Sequence, residues 1–325
     1  MLCIRSKNSN PYFNLAAEEY FLKHNEQDVF MLWHSDNTVV VGKHQNTLAE
    51  INYRYVKLNN IQVARRLTGG GTVFHGHGNV NFSFIKHGEI GKLVDFRHFM
   101  QPVIDFLNIC GIKAIQGPKN EILVDGKKVS GNAEHVYKNR VLHHGTLLYN
   151  ADLELLHESI RQFPGKYTDK AVKSIRSNVL NLSSVMSSAM SLETFNEAMM
   201  DYIISEYNGR IYMLSEQDEE SIYYLVNSKY STWLWIYGWS PDYELYNTIE
   251  ADIGKIYIHL KVQKGIIMEC RIESPGVWSE YFGLFSEKLK GIPHEEYKIR
   301  SLLKELFNNT VFNDQGMEEF LFGFF

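Results

Sequence analysis

The chain has 325 residues, 44% hydrophobic and 22% charged, a balance that excludes a disordered or fibrous protein and fits one large domain with a smaller one. With 33 Lys and Arg against 38 Asp and Glu, the net charge is −5, so no strongly basic surface argues for nucleic acid as a partner. Cys3, Cys110 and Cys270 stand in no metal or disulfide spacing, and MLCIRSKNSNPYFNL lacks the apolar stretch of a secretory signal. No apolar run approaches the ~20 residues of a membrane span, so a cytoplasmic protein binding neither nucleic acid nor membrane is expected.

In chain order, NLAAEEYFLKH after Pro11 predicts a helix with Asn14 as its cap and Glu18 and Glu19 in its early turns. VFMLW (29–33) and NTVVVG (37–42) predict a buried strand pair flanking the turn-like HSD. TVFHGHGNVNFSFI reads as strand, glycine-rich turn and strand, with Val80, Phe82 and Phe84 alternating with Asn81 and Ser83 as in a half-buried strand. From Asp95, the residues Phe96, Phe99, Val103, Phe106, Leu107 and Cys110 recur at helical spacing, placing Cys110 in a core, and Gly111 ends the run. EILVDGKKVSG predicts a hairpin turned at Asp125-Gly126, RVLHHGTLLY a third strand, and 150–160 a helix capped by Asp152. Helices follow at 191–207 and 217–227, then the aromatic stretch YSTWLWIYGWSPDYEL. From about 250, IYIHLKV, a Lys264-Gly265 turn, IIMECRI and a helix at 294–307 make a small α/β unit.

RRLTGGGTVFHGHGN (65–79) carries the first candidate chemistry. A glycine run entering a strand can expose backbone N–H groups in an anion-binding concavity, with Arg65 and Arg66 adding charge. The alternative is a surface turn with glycines at positive φ. Neither a Walker A pattern nor GxGxxG is present. His75 and His77 would share one strand face within reach of a metal, yet no carboxylate or third ligand stands nearby, so hydrogen bonds to phosphate or backbone are the expectation and no protein-held metal is assigned. In GKKVSG, alternation turns one of Lys127 and Lys128 inward, where a lysine needs an anionic partner; the alternative is a hairpin that both lysines solubilise. His143 and His144 place one imidazole on the sheet's inner face, by default as a satisfied core histidine. No serine or cysteine stands in a nucleophile motif.

Six ordered stretches, NLAAEEYFL (14–22), TVVVGKHQN (38–46), RRLTGGGTVFH with GN (65–79), KNEILVDGKKVSGNA (119–133), HHGTLLYNADL (143–153) and SIRSNVLNL (174–182), resemble the lipoate-protein ligases over nearly the whole chain. The resemblance implies an α/β fold shared with biotin ligases and octanoyltransferases: a catalytic domain of mixed and antiparallel sheets (1–245) and a small α/β accessory domain (246–325). It implies an ATP-dependent enzyme that forms lipoyl-AMP, releases pyrophosphate and passes the lipoyl group to a lysine of lipoyl domains, those of 2-oxoacid dehydrogenase E2 subunits and the glycine cleavage H protein, with Mg2+ arriving on ATP. By motif match Lys128 is the essential lysine, contacting the adenylate phosphate and the acyl oxygen. Thr68, Gly69, Gly70 and Gly71 would lie along the lipoyl chain and phosphate, with Arg66 near the loop. Thr72, Val73 and Phe74 would present backbone to the adenine, and His75 and Asn79 match polar positions at the nucleotide. Asn120, Ser130, Gly131, Ala133 and His144 match other wall positions. Thr68 keeps the hydroxyl of the serine often found there, whereas Leu67 replaces a frequent third basic residue. Three rivals are weighed: an octanoyltransferase working through a cysteine thioester without ATP, disfavoured by cysteines outside the motifs; a biotin ligase, whose GRGR-type loop is replaced; and a non-enzymatic nucleotide- or RNA-binding module, which the acidic balance and Lys128 oppose.

Overall fold

The computed structural model describes residues 1–88, 91–186, 190–251, 254–274, 279–307 and 313–325. The chain forms two compact units: Met1–Lys43, Gln62–Leu156 and Ser174–Ser231 make the first, and His44–Ile61, His157–Lys173 and Thr232–Phe325 the second.

The first unit is built on an eight-stranded sheet in the order Arg210–Ile211, Leu2–Arg5, Val29–Trp33, Asn79–His87, Arg140–Leu148, Lys127–Tyr137, Glu121–Val124 and Ala114–Gln116. The first three strands run parallel and the remaining pairs antiparallel. A three-stranded sheet sets Thr38–Val41 between Gln62–Arg65, parallel, and Val73–His75, antiparallel. The architecture is the expected mixed α/β one. The strands Val29–Trp33 and Thr38–Val41 are both buried, as read from their β-branched and apolar content, but they do not pair with each other. Leu2–Arg5 and Asn79–His87 occupy both edges of Val29–Trp33, so no hydrogen-bonding edge is left for Thr38–Val41.

One face of the large sheet carries the apolar core. Phe99, Val103, Phe106 and Leu107 from helix Phe96–Ile109 and Phe195, Met199 and Ile203 from helix Leu192–Glu206 pack on Phe30, Phe82, Phe84, Ile122, Val129 and Val141. Each phenylalanine so buried contributes about 2–3 kcal/mol. Asp95 caps the first helix, Cys110 closes it half-buried against the core, and Gly111 follows at φ +79°, in the left-handed region. The expected half-solvated strand is covered on both sides: Asn81 and Ser83 are 1% and 0% exposed. Their polarity therefore marks a buried polar layer, not a water-facing one.

The cap of helix Pro11–His24 lies four residues before the expected one. Asn10 is the N-cap, its Oδ1 accepting from the Tyr12 and Phe13 N–H groups, and Pro11 takes the first position, where its fixed φ fits and no N–H is lost. Glu18 and Glu19 consequently lie in mid-helix, 1% and 2% exposed, rather than at its dipole end. Asn14 is an interior tie. It accepts from Ser6 Oγ at 2.7 Å and donates to the carbonyls of Asn8 at 2.7 Å and His34 at 3.0 Å.

The second unit holds an antiparallel sheet in the order Tyr167–Asp169, Tyr243–Ala251, Gly254–Gln263 and Ile266–Glu273, with helices Ser279–Leu289, Glu296–Phe307 and Asp314–Phe322. Lys264 and Gly265 take φ +49° and +77°, which gives the expected hairpin turn. Ile256, Ile258, Leu260 and Val262 alternate into a core with Phe282, Phe285, Phe307 and Phe320. Among the described residues no helix is long and apolar enough to cross a membrane.

Asn14→Ala should lower the unfolding free energy in urea by about 3 kcal/mol, since the two carbonyls and Ser6 lose a partner inside the protein. A loss below about 1 kcal/mol, with an unchanged circular dichroism spectrum, would show that water replaces the amide.

Candidate active site

The loop 67–72 leaves strand Gln62–Arg65 and enters strand Val73–His75. Beneath it lies Arg66, 5% exposed. Its Nε donates to Thr68 Oγ1 at 2.9 Å, Nη1 to the Val40 carbonyl at 3.2 Å, and Nη2 to the carbonyls of Gly69 at 2.6 Å and Gly71 at 2.7 Å. Arg65, 0% exposed, donates from Nη1 to the carbonyls of Gly42 and Lys43, each at 3.0 Å. Burial pushes the two guanidinium groups down to about 9 and about 10, so both stay charged at neutral pH. The charge that sequence reading offered to an external anion is thus turned, at short range, onto backbone carbonyls.

Glycine is required here for two separate reasons. Gly70 sits at φ +89°, and a Cβ at Gly42 would stand 2.2 Å from the Gly70 carbonyl oxygen. With the Gly69 and Gly71 carbonyls drawn toward Arg66, the N–H groups of Gly69, Gly70 and Gly71 have no partner among the described residues. That is the arrangement of an anion-binding nest. Ser174 closes the end of the loop, its Oγ accepting from the Thr72 N–H at 2.8 Å.

A polar chain runs inward from Thr68. His144 Nε2 lies 2.8 Å from Thr68 Oγ1, and His144 Nδ1 lies 2.9 and 3.0 Å from the two carboxylate oxygens of Glu18. Ser83 Oγ donates to Glu18 Oε1 at 2.5 Å and accepts from Trp33 Nε1 at 3.1 Å. Because Thr68 Oγ1 already accepts from Arg66, its own hydrogen is available to His144 Nε2, which assigns the Nδ1 proton to the Glu18 side. A second chain joins His75 Nε2 to Thr146 Oγ1 at 3.1 Å and Thr146 Oγ1 to Asn81 Oδ1 at 3.0 Å. Asn79 Nδ2 donates to the Phe74 carbonyl at 3.0 Å. His75 Nδ1, Asn79 Oδ1 and Asn81 Nδ2 are buried without a protein partner among the described residues, so polar atoms remain to be met.

Lys128 reaches this face through a β-bulge. Ile122 pairs with Ser130 and Leu123 with Lys128, leaving Val129 extra. Val129 and Ser130 are buried at 0% and 1%, whereas Lys128 is turned to the side shared by Gly131, Ala133 and His144. A Cβ at Gly131 would stand 2.9 Å from Lys128 Nζ, so the missing side chain is the space the ammonium uses. Ala133 in turn lies 4.0 Å from where a Cβ on Gly70 would be, which brings the loop over the same strand. The Lys128 ammonium has no ion pair or hydrogen bond among the described residues. Burial lowers its proton affinity, Glu121 opposes this, and Arg66 and Lys119 reinforce it. The segment 178–180 runs alongside, accepting from the Lys128 N–H at the Asn178 carbonyl, 2.9 Å, and donating from Leu180 to the Lys128 carbonyl, 3.0 Å.

Thr68, His144, Gly131, Ala133 and Lys128 therefore come together with the loop. Lys127 is exposed, which settles the inward lysine. Ser130 points to the opposite face, where its Oγ accepts from Asn132 Nδ2 at 3.3 Å. Asn120, at φ +57°, supports the turn before it with a carbonyl that accepts from the Asn132 N–H at 3.2 Å. His77 does not share a face with His75: the strand ends at His75, and His77 is exposed in the turn. Among the described residues no group of three His, Cys, Asp or Glu is placed to hold a metal. Leu67, 7% exposed, is packed apolar surface. His143 is a core histidine, stacked on Phe99 at 5.2 Å and hydrogen-bonded through Nδ1 to Glu134 at 2.9 Å, but it is only half satisfied, its Nε2 having no partner among the described residues.

Glu18, Ser83, Trp33 and Ser174 escaped the sequence reading. Glu18 carried one usable signal: Glu19 has Lys23 four residues on to pair with, while Glu18 faces Leu22 and needs a partner from elsewhere.

Residues 10–204 match the family described as the lipoyl protein ligase A/B catalytic domain, and residues 240–322 that described as the bacterial lipoate protein ligase C-terminus. The lipoate-protein ligase LplJ of Bacillus subtilis (strain 168) is 36% identical across 99% of this chain and 99% of its own. Protein Ta0514 of T. acidophilum, solved with bound lipoic acid, superposes with a TM-score of 0.62 at 25% identity over 72% of this chain and 98% of that one. A lipoate-protein ligase A bound with ATP gives 0.61 at 25% identity over 73% and 98%.

Burial, reinforced by His144 and Arg66, pushes His75 down to about 3. Below the ordinary histidine range the unfolded chain takes up a proton that the folded one refuses, so stability present above about pH 6.5 is lost toward pH 3, by at most ~1.4 kcal/mol per pH unit. The His75 ring resonances should stay constant between about pH 5 and 8 in a proton–carbon titration; a midpoint near 6.5 would mean that the ring is open to solvent.

Proposed function

The chain belongs to the lipoate-protein ligase family and is an ATP-dependent enzyme of lipoate attachment, and we propose that its chemistry takes place between the glycine loop and Lys128. A lipoate carboxylate oxygen attacks the α-phosphorus of ATP, the bond to pyrophosphate breaks, and lipoyl-AMP forms. The ε-amine of an acceptor lysine then attacks the acyl carbon, the bond to AMP breaks, and the amine's proton leaves to solvent. No enzyme nucleophile is required. What the protein must supply is position and positive charge where negative charge accumulates, at phosphorus and at the acyl oxygen.

The observation that carries this reading is Lys128: a half-buried ammonium with no ion pair or hydrogen bond among the described residues, standing in the space left by Gly131 and facing a loop with three unpartnered N–H groups. In this reading Thr68, Gly69, Gly70 and Gly71 cradle the acyl chain and phosphate, and Arg66 holds them in shape from below. Thr72, Val73 and Phe74 offer backbone to the base, and the unpartnered buried atoms of His75 and Asn79 are suited to a polar ligand. Magnesium arrives on the nucleotide's phosphates and neutralises charge there. Lipoyl domains of 2-oxoacid dehydrogenase E2 subunits and the glycine cleavage H protein are the proposed acceptors, and the cytoplasm, where free Cys3, Cys110 and Cys270 stay reduced, the proposed compartment. We assign catalysis to 1–245 and an accessory role to 246–325, a division that the two family matches support. A thioester mechanism is disfavoured because Cys3 is buried in the large sheet, Cys110 caps a core helix and Cys270 lies in the second unit.

Protein given ATP, magnesium, lipoate and an apo lipoyl domain should add one lipoyl mass to the acceptor; a mass shift from octanoyl carrier protein without ATP would overturn the reading. Lys128→Ala should cut lipoate-dependent pyrophosphate release by about 100-fold or more with the fold retained. Undiminished release would remove Lys128 from the mechanism.

A further inference from the structure

Helix Pro11–His24 buries two adjacent glutamates and uses them differently. Glu19 is clamped by Lys23 at 2.6 Å and Lys229 at 2.5 Å. Glu18, 1% exposed, has no lysine or arginine within ion-pair distance among the described residues. Its carboxylate oxygens lie 2.9 and 3.0 Å from His144 Nδ1, and Oε1 also accepts from Ser83 Oγ at 2.5 Å. Keeping an acid inside the protein without a cation costs several kcal/mol, so its bonds must supply something that an amide or an apolar side chain would not. A carboxylate only accepts. The hydrogen on this side of the imidazole therefore sits on Nδ1, and the neutral ring is left with a bare Nε2.

The bare nitrogen faces the glycine loop. Thr68 Oγ1 accepts from Arg66 Nε at 2.9 Å, and its one hydrogen has two acceptors within reach, His144 Nε2 at 2.8 Å and the Gly69 carbonyl at 3.5 Å. With Nε2 bare, that hydrogen goes to the ring. In the opposite tautomer Nε2 would bring its own hydrogen to Oγ1, and the threonine hydrogen would turn to the Gly69 carbonyl, in competition with Arg66 Nη2 at 2.6 Å. That carbonyl shares a peptide plane with the Gly70 N–H, one of the three unpartnered donors of the loop, so its tilt sets where the donor points. Resting on the ligase reading above, we propose that Glu18 is a positioning residue for adenylate formation: by holding the His144 hydrogen on Nδ1 it keeps the Thr68 hydroxyl turned inward and leaves the Gly69 carbonyl to Arg66. Glu18 acts through two side chains and enters no bond-making step.

Glu18→Gln keeps the shape of the side chain but offers a donor as well as an acceptor, so it no longer dictates the tautomer. Nitrogen NMR of the His144 ring should find hydrogen on Nδ1 and none on Nε2 in the wild-type protein, and a mixture of tautomers in Glu18→Gln. Hydrogen on Nε2 in the wild-type protein, alone or in an imidazolium, would overturn the proposal without recourse to any variant. Lipoate-dependent exchange of pyrophosphate into ATP should lose about tenfold in kcat in Glu18→Gln. Thr68→Val removes the hydroxyl through which the effect travels, so the double variant should exchange within about twofold of Thr68→Val alone. Undiminished exchange in Glu18→Gln, a fall in exchange while the ring keeps its Nδ1 hydrogen, or losses that multiply in the double variant would each overturn the proposal, the last by showing that Glu18 serves the fold independently of the loop. Failure of the wild-type protein to exchange pyrophosphate would instead sink the ligase reading and leave the tautomer result standing.

Discussion

A guanidinium turned inward beneath a loop of three glycines is the constraint on which the rest of the site depends. Arg66 gives hydrogen bonds to two glycine carbonyls, a strand carbonyl and a threonine hydroxyl. Desolvating such a cation costs several kcal/mol, and only full hydrogen bonding makes its burial tolerable. The return is a loop with its Gly69 and Gly71 carbonyls both held on Arg66. The N–H groups of Gly69, Gly70 and Gly71 are left without partners among the described residues. The same threonine hydroxyl ties the loop to His144, Glu18, Ser83 and Trp33, so the loop's shape is braced from the sheet interior.

The electrostatics of the molecule are consequently local. A chain with net charge −5 sets Arg66 and Lys128, neither with an ion pair among the described residues, beside one glycine loop, while Glu19 is spent on clamping Lys23 and Lys229. Total charge informs about solubility and bulk partners and is silent about such a face. The composition argued against a nucleic-acid surface, yet it gave no hint of the cations beside the glycine loop.

What could be read from the sequence follows the range of the underlying physics. Helix Phe96–Ile109, its Asp95 cap and the Asp125-Gly126 and Lys264-Gly265 turns depend on neighbours within a few residues, and all were legible. The glycine loop and one inward lysine were legible because their residue types are costly unless something uses them, whereas the choice of Lys128 and the wall position of His144 came from the family resemblance. Features set by distant partners were not. Asn81 and Ser83 alternate like solvent-facing residues, and only the helix and sheet that cover them reveal an interior polar layer. Asn14 has the chemistry of a cap, but the presence of Asn10 and Pro11 upstream moves it inside the helix. His75 and His77 share a spacing without sharing a face, since the strand stops between them.

The bulge at Val129 has a consequence for how this enzyme stores its geometry. In a regular strand two residues three positions apart project to opposite faces, so a lysine and a glycine at that separation would never meet. Here they meet because one extra residue shifts the phase of the strand between them. The position of the ammonium is thus held in a count of residues as much as in their identities. Pairing Val129 into the ladder at unchanged chain length would preserve both residues, and with them most of the motif's chemical character, while rotating the charge toward the apolar core. The pairing of this short interval with Glu121–Val124 is a structural variable in its own right, and the identities at positions 128 and 131 do not by themselves bring the two residues together.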